Sequence, residues 1–169
     1  MFLKNLDSES VRKFMLEEIN FDINREKLYM SKRMRENHED IYTNLLIKEV
    51  DSGTPESLSK AILDNNCLVE KEKTIRGFRK VPYNAHETLG EGEFNRFYMR
   101  GLSKKAIDEN LELKVYRAKK VSKPRKSSEE LLDNIVSPEE ILEDFRKNPG
   151  KHTNSELADP NSGLSLKIV

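Results

Sequence analysis

Four residues spaced four apart, Phe94, Tyr98, Leu102 and Ala106, constrain the fold more than any other feature of the chain. With Phe97 and Gly101 beside them they form one apolar helical face, because side chains at i and i+4 stack on the same side of a 3.6-residue turn. The spacing predicts a core helix over 93–109, starting after Gly92. Arg96, Arg100, Lys104 and Lys105 fall away from that stripe. Gly101 inside a helix costs about 1 kcal/mol relative to Ala. A close crossing with another helix or strand is the usual compensation.

Beyond Asn110, Leu111, Leu113 and Val115 alternate with Glu112, Lys114 and Tyr116, which predicts a strand over 111–118. One strand cannot stand alone. Its candidate partners are residues 74–81 and the C-terminal alternation Leu164, Leu166, Ile168.

Upstream, Asp7 is placed to cap a first helix carrying Val11, Phe14, Met15 and Ile19. Residues 22–50 contain no Pro or Gly and read as one long polar helix, or as two with a break near Asn37 and His38. Gly53, Thr54 and Pro55 stop one helix and cap the next, which presents Leu58, Ala61 and Ile62 and ends at Asn65 and Asn66. Residues 67–92 read as loop, or short strand plus loop. Ser127 or Ser128 is placed to cap a short helix with Leu131, Leu132 and Ile135. Ser137, Pro138 and Glu140 form a capping-box pattern before Ile141, Leu142 and Phe145. The expectation is a mainly α chain with a small β element, an α+β class: long N-terminal helices, the core helix, one strand and two short C-terminal helices. It divides into 1–66, 67–118 and 119–169, organised as a single domain with arms.

Hydrophobic and charged residues each make up 36% of the chain, so the core is expected to be thin for its length. Thirty basic and thirty acidic residues cancel, but unevenly. Residues 113–126 hold seven bases and no acid, and residues 127–147 hold seven acids against Arg146 and Lys147. Such blocks suggest charge-complementary contacts, within the chain or between copies. The lone Cys67 cannot form an internal disulfide, fits a reducing compartment, and is expected to be a small buried apolar residue. The N-terminus turns acidic too soon for a signal peptide, and the longest apolar run, 45–47, is too short to span a membrane.

His38, His86 and His152 are far apart in sequence and lack the spacing of a metal site, so no metal, cofactor or catalytic residue is assigned. A loop site around His86, with Glu87 or Glu93 as its orienter, is conceivable, but no nucleophile or oxyanion hole accompanies it. Two basic segments are candidates for phosphate contact: 71–80, with Arg76, Arg79 and Lys80, and 113–126, with Arg117, Lys119, Lys120, Lys123, Arg125 and Lys126. The aromatic interleaving of a single-strand platform is not evident in the 113–126 segment.

Residues 84–102, together with 115–128 and 138–146, resemble small uncharacterised proteins of tailed bacteriophages and prophages encoded near head genes. The resemblance covers roughly the second half of the chain and brings no active-site residue with it. It implies a virion or host-cytoplasm setting. The first functional reading is therefore a non-enzymatic structural or interaction protein, a phage head component that orders on assembly, with virion proteins or copies of itself as partners. The alternatives are a nucleic-acid-binding accessory protein using the two basic segments, and a small enzyme with its site around His86.

Overall fold

A computed structural model describes residues 1–150, 153–155, 157, 159 and 162–169. Among them lie six helices and five short strands. The helices are α1 (Glu9–Ile23), α2 (Glu39–Ser52), α3 (Pro55–Asp64), α4 (Ala85–Glu109), α5 (Lys126–Glu130) and α6 (Pro138–Lys147). The strands are β1 (Lys71–Thr74), β2 (Gly77–Lys80), β3 (Leu113–Arg117), β4 (Ile135–Val136) and β5 (Leu164–Ile168). The class is mainly α with a small β element.

α4 is the axis of the molecule and packs against α1, α3, α6 and β5. It begins at Ala85, eight residues ahead of the expected start: Gly90 and Gly101 are packing positions, and Gly92 is an open position within the helix rather than loop punctuation. A Cβ on Gly90 would lie 2.6 Å from Ser59 Oγ and 2.7 Å from Ser59 Cα, where α3 crosses. A Cβ on Gly101 would lie 2.8 Å from Met15 N and 2.9 Å from the Val11 carbonyl, where α1 crosses. The missing side chains let both helix axes approach, which offsets the propensity cost.

From Phe94 to Ser103 every residue of α4 is buried, on all sides of the helix. Phe94, Phe97, Tyr98 and Leu102 join one hydrophobic cluster that runs from Leu3 to Leu166. Arg96 and Arg100 lie outside the apolar stripe yet are buried. Arg100 meets Glu18 and Asp22 of α1, and Arg146 of α6 closes the group by pairing with Glu18.

Of the expected long helix over 22–50 only the end of α1 and α2 are helical; the break covers 24–38, wider than the one expected near Asn37 and His38. α1 stops at Asn24, Glu26 takes φ 53°, and Asn37 takes φ 62° just before α2. Between them Leu28, Tyr29, Met30 and Met34 lie partly buried against the core. An extended path brings these four sparse apolar residues onto the core without requiring a long polar helix to be held by packing alone. α3 has the expected Thr54 cap, with Ser57 reciprocating, and Ser137 caps α6 through the Glu140 amide at 3.2 Å. Leu131, Leu132 and Ile135 lie beyond the end of α5, and Ile135 stands in β4 opposite Lys114 of β3.

β3 is the central strand of a three-stranded antiparallel sheet ordered β4-β3-β5. Val115 stands opposite Leu166, and Arg117 opposite Leu164. The C-terminal alternation thus pairs at home, while residues 74–81 supply no partner to β3. The sheet is fastened to α4 by buried side chains. Asn95 Nδ2 donates to the Leu164 carbonyl at 2.9 Å, Ser165 Oγ donates to Asn95 Oδ1 at 2.7 Å, and Tyr98 OH donates to the Leu166 carbonyl at 3.1 Å. No helix among the described residues is long and apolar enough to cross a membrane.

Candidate functional site

Of residues 67–92, expected as loop or short strand plus loop, 71–80 build an antiparallel hairpin, β1–β2, and 85–92 are the first turns of α4. Its turn depends on Gly77, whose φ of +115° disfavours any side chain, and Thr74 Oγ1 donates to the Gly77 carbonyl at 3.0 Å. The register sets Lys71 opposite Lys80, Glu72 opposite Arg79 and Lys73 opposite Phe78. Residues opposite each other share a face, and faces alternate along a strand. One face therefore carries Glu72 and Arg79. The other carries Lys71, Lys73, Phe78 and Lys80.

The first face anchors the hairpin. Arg33 donates to Glu72 Oε2 through Nε at 2.8 Å and to Oε1 through Nη2 at 3.0 Å, and Arg79 Nε donates to Oε1 at 2.6 Å. The bidentate Arg33 bond holds the Glu72 carboxyl down at about 2, against an ordinary value of 4.5. The Val69 amide also donates to the Arg33 carbonyl at 2.9 Å, so the loop after α1 grips the root of the hairpin.

The second face has no partner among the described residues. Phe78 is 74% exposed, and Ile75 at the tip is fully exposed. Lys71, Lys73, Arg76 and Lys80 are exposed and make no ion pair with the described residues. Like charges set directly opposite, as Lys71 and Lys80 are, destabilise a ladder. An aromatic ring left in water beside them adds nothing to the fold. At the base of the hairpin, an open groove of about 640 Å³ runs between the end of α3 and the start of α4, lined by Leu63, Lys71, Lys80, Tyr83 and His86 among others. Tyr83 on its rim is 90% exposed.

The structure separates the predicted basic residues into two groups. Lys80 belongs to the unpaired face, Arg76 stands in the turn at the tip, and Arg79 belongs to the anchoring face. In the second segment Arg117 pairs with Glu129 at 3.5 Å, Arg125 with Asp159 at 3.2 Å, Lys126 with Glu130 at 3.7 Å, and Lys119 with Glu91. Only Lys120 and Lys123 of that set stay exposed without an ion pair among the described residues. Phe78, Tyr83 and Ile75 were not predicted as surface residues. A signal for Phe78 is present: Lys71, Lys73, Phe78 and Lys80 sit at period two on both sides of a glycine turn.

The three histidines stay apart. His38 borders α2, with its Nδ1 3.0 Å from the Glu36 carbonyl. His86 is half-buried in the groove, with Glu87 3.9 Å away, and His152 lies outside the described residues. Cys67 is fully buried, and burial pushes its thiol up. A second cleft of about 500 Å³ runs along the first half of α4. Glu93 and Arg96 line it, 3.3 Å apart, and burial raises the Glu93 carboxyl above its ordinary value. Among the described residues no three His, Cys, Asp or Glu side chains converge as a metal site requires.

No protein-family model, curated protein or solved structure matches the chain.

Proposed function

We propose that the protein works by binding rather than by catalysis, and that its working surface is the outer face of the β1–β2 hairpin with the adjoining groove. The partner of that surface is anionic. One observation carries the reading: Phe78 stands exposed, in register with Lys73 and beside the opposed pair Lys71 and Lys80, on a hairpin whose other face is tied down by Arg33. The fold gains nothing from such a face, and exposed apolar residues rimmed by charge mark interaction sites. The alternative enzyme reading around His86 finds less support, since the groove lining contains no serine, threonine or cysteine.

Retention of the full chain on a polyglutamate matrix tests the reading. The parent should be held at low salt and released as salt rises. Lys71→Glu combined with Lys80→Glu should abolish retention without moving the melting temperature. Equal retention of parent and variant would refute the hairpin as the binding surface. A place in a phage head is a narrower form of the same proposal and is supported only by the sequence resemblance. Portal, scaffold and capsid genes beside this one would strengthen it.

A further inference from the structure

Resting on that reading, we infer that the anionic partner is single-stranded nucleic acid, held by its phosphates on the hairpin lysines and by its bases on Phe78 and Tyr83. Single-strand sites pair a cationic track with aromatic faces on which bases stack, and both elements are present here. Lys71, Lys73 and Lys80 lie on one face of the hairpin, with Arg76 at its tip. Same-face residues along a strand are about 6.7 Å apart, so the lysines present repeated charge rather than one point. Phe78 is in the middle of that face, and Tyr83 is on the rim of the groove that Lys71 and Lys80 also line.

The charge on this face is not cancelled from behind. Glu72 is the one acid within the two strands, and it is held by Arg33 and Arg79 on the opposite face. A membrane surface fits less well. Phe78 lies mid-strand among the lysines, so inserting it into lipid would carry Lys73 with it. Ile75 is the one apolar side chain at the tip, beside Arg76, and one aliphatic side chain gives a shallow anchor. An acidic peptide would satisfy the lysines but leave both ring faces without a planar partner.

The test uses the full chain and a fluorescein-labelled deoxythymidine oligonucleotide of about 12 nucleotides, with binding read by fluorescence anisotropy against salt. The parent should bind with an affinity that falls as salt rises. Phe78→Ala should weaken binding by about 5- to 150-fold and leave the salt slope unchanged, because stacking releases no counterions. Lys71→Gln with Lys80→Gln should instead flatten the slope by about 1.4. All positions are exposed, so unchanged melting curves verify the variants. If polyglutamate or phosphatidylserine vesicles bind while the oligonucleotide does not, the nucleic-acid inference fails and the anionic-partner reading survives. If nothing anionic binds, both fail. If Phe78→Ala binds as the parent does, stacking is refuted and the site reduces to charge alone.

Discussion

Arg100 of α4 donates to Glu18 of α1 through Nε at 3.0 Å and Nη2 at 2.8 Å, and both side chains are almost wholly buried. Nη1 and Nη2 also donate to Asp22, at 2.6 Å and 2.8 Å. Arg146 of α6 adds a bond to Glu18 through Nε at 2.9 Å. Three helices are thus registered by one ionic group inside the core. Arg100→Met should cost about 3–5 kcal/mol, because it strands the buried Asp22 carboxylate and leaves Glu18 with Arg146 and Lys104 alone. Arg100→Lys should not rescue it, since an ammonium cannot span both acids with a planar fork. Urea denaturation decides, and parent-like midpoints for both variants would contradict the assignment.

Two glycines of α4 should respond oppositely to alanine. At Gly101 a new Cβ meets Met15 and Val11 backbone atoms at 2.8 and 2.9 Å, so Gly101→Ala should destabilise by about 1–3 kcal/mol despite its better helix propensity. At Gly92 a Cβ meets nothing within 4 Å, so Gly92→Ala should be neutral or stabilising by up to about 1 kcal/mol. Thermal melts decide: a Gly101→Ala variant as stable as the parent would mean that α1 does not cross at Gly101.

The aromatic core of α4 should be unforgiving. Phe94→Ala and Phe97→Ala each remove a side chain at most 1% exposed, and each should cost about 3–5 kcal/mol. Melting temperatures within a degree or two of the parent (a tolerance of roughly 0.5 kcal/mol for a chain this size) would overturn the core assignment.

Removing residues 164–169 should collapse the monomer rather than release a partner. β3 would lose its β5 ladder, Asn95 would lose both of its partners in β5, and Tyr98 would be left with Asn5 alone. A truncated chain that melts like the parent would show that the home sheet does not need this strand.

Acid should loosen the hairpin root. The Glu72 pKa is lower in the fold than in the unfolded chain, so the carboxylate's contribution is complete above about 4.5 and is lost as pH falls toward about 2. Glu18 acts in the same sense: burial raises its pKa, but bonds from Arg146 and Arg100 outweigh that and leave it lowered. Glu72→Gln should flatten the pH dependence of amide-exchange protection at β1 and β2 between pH 2 and 4.5. An identical pH profile in parent and variant would rule out the Arg33 anchor.

Periodicity made the central helix, the strand after it and the Thr54 and Ser137 caps legible in the sequence, because these depend on residues within a turn or two of one another. The candidate surface was only half legible. Its basic residues stood out by composition, but they did not show which cations would be free. Arg117, Arg125 and Lys126 have acids positioned beside them by the fold, whereas Lys71, Lys73 and Lys80 do not.

The sequence by itself determined that 93–109 is a core helix, that Gly101 needs a close neighbour, and that the C-terminal residues alternate as a strand does. Each follows from local spacing or from the conformational cost of one residue. The tertiary structure alone decided that Arg100 is buried, that residues 24–38 run along the core instead of extending a helix, and that β5 pairs with β3. It also put Phe78 among lysines. These depend on contacts between residues distant along the chain: a charge can be buried only if its partners arrive, and an apolar ring remains exposed only where no other part of the chain covers it.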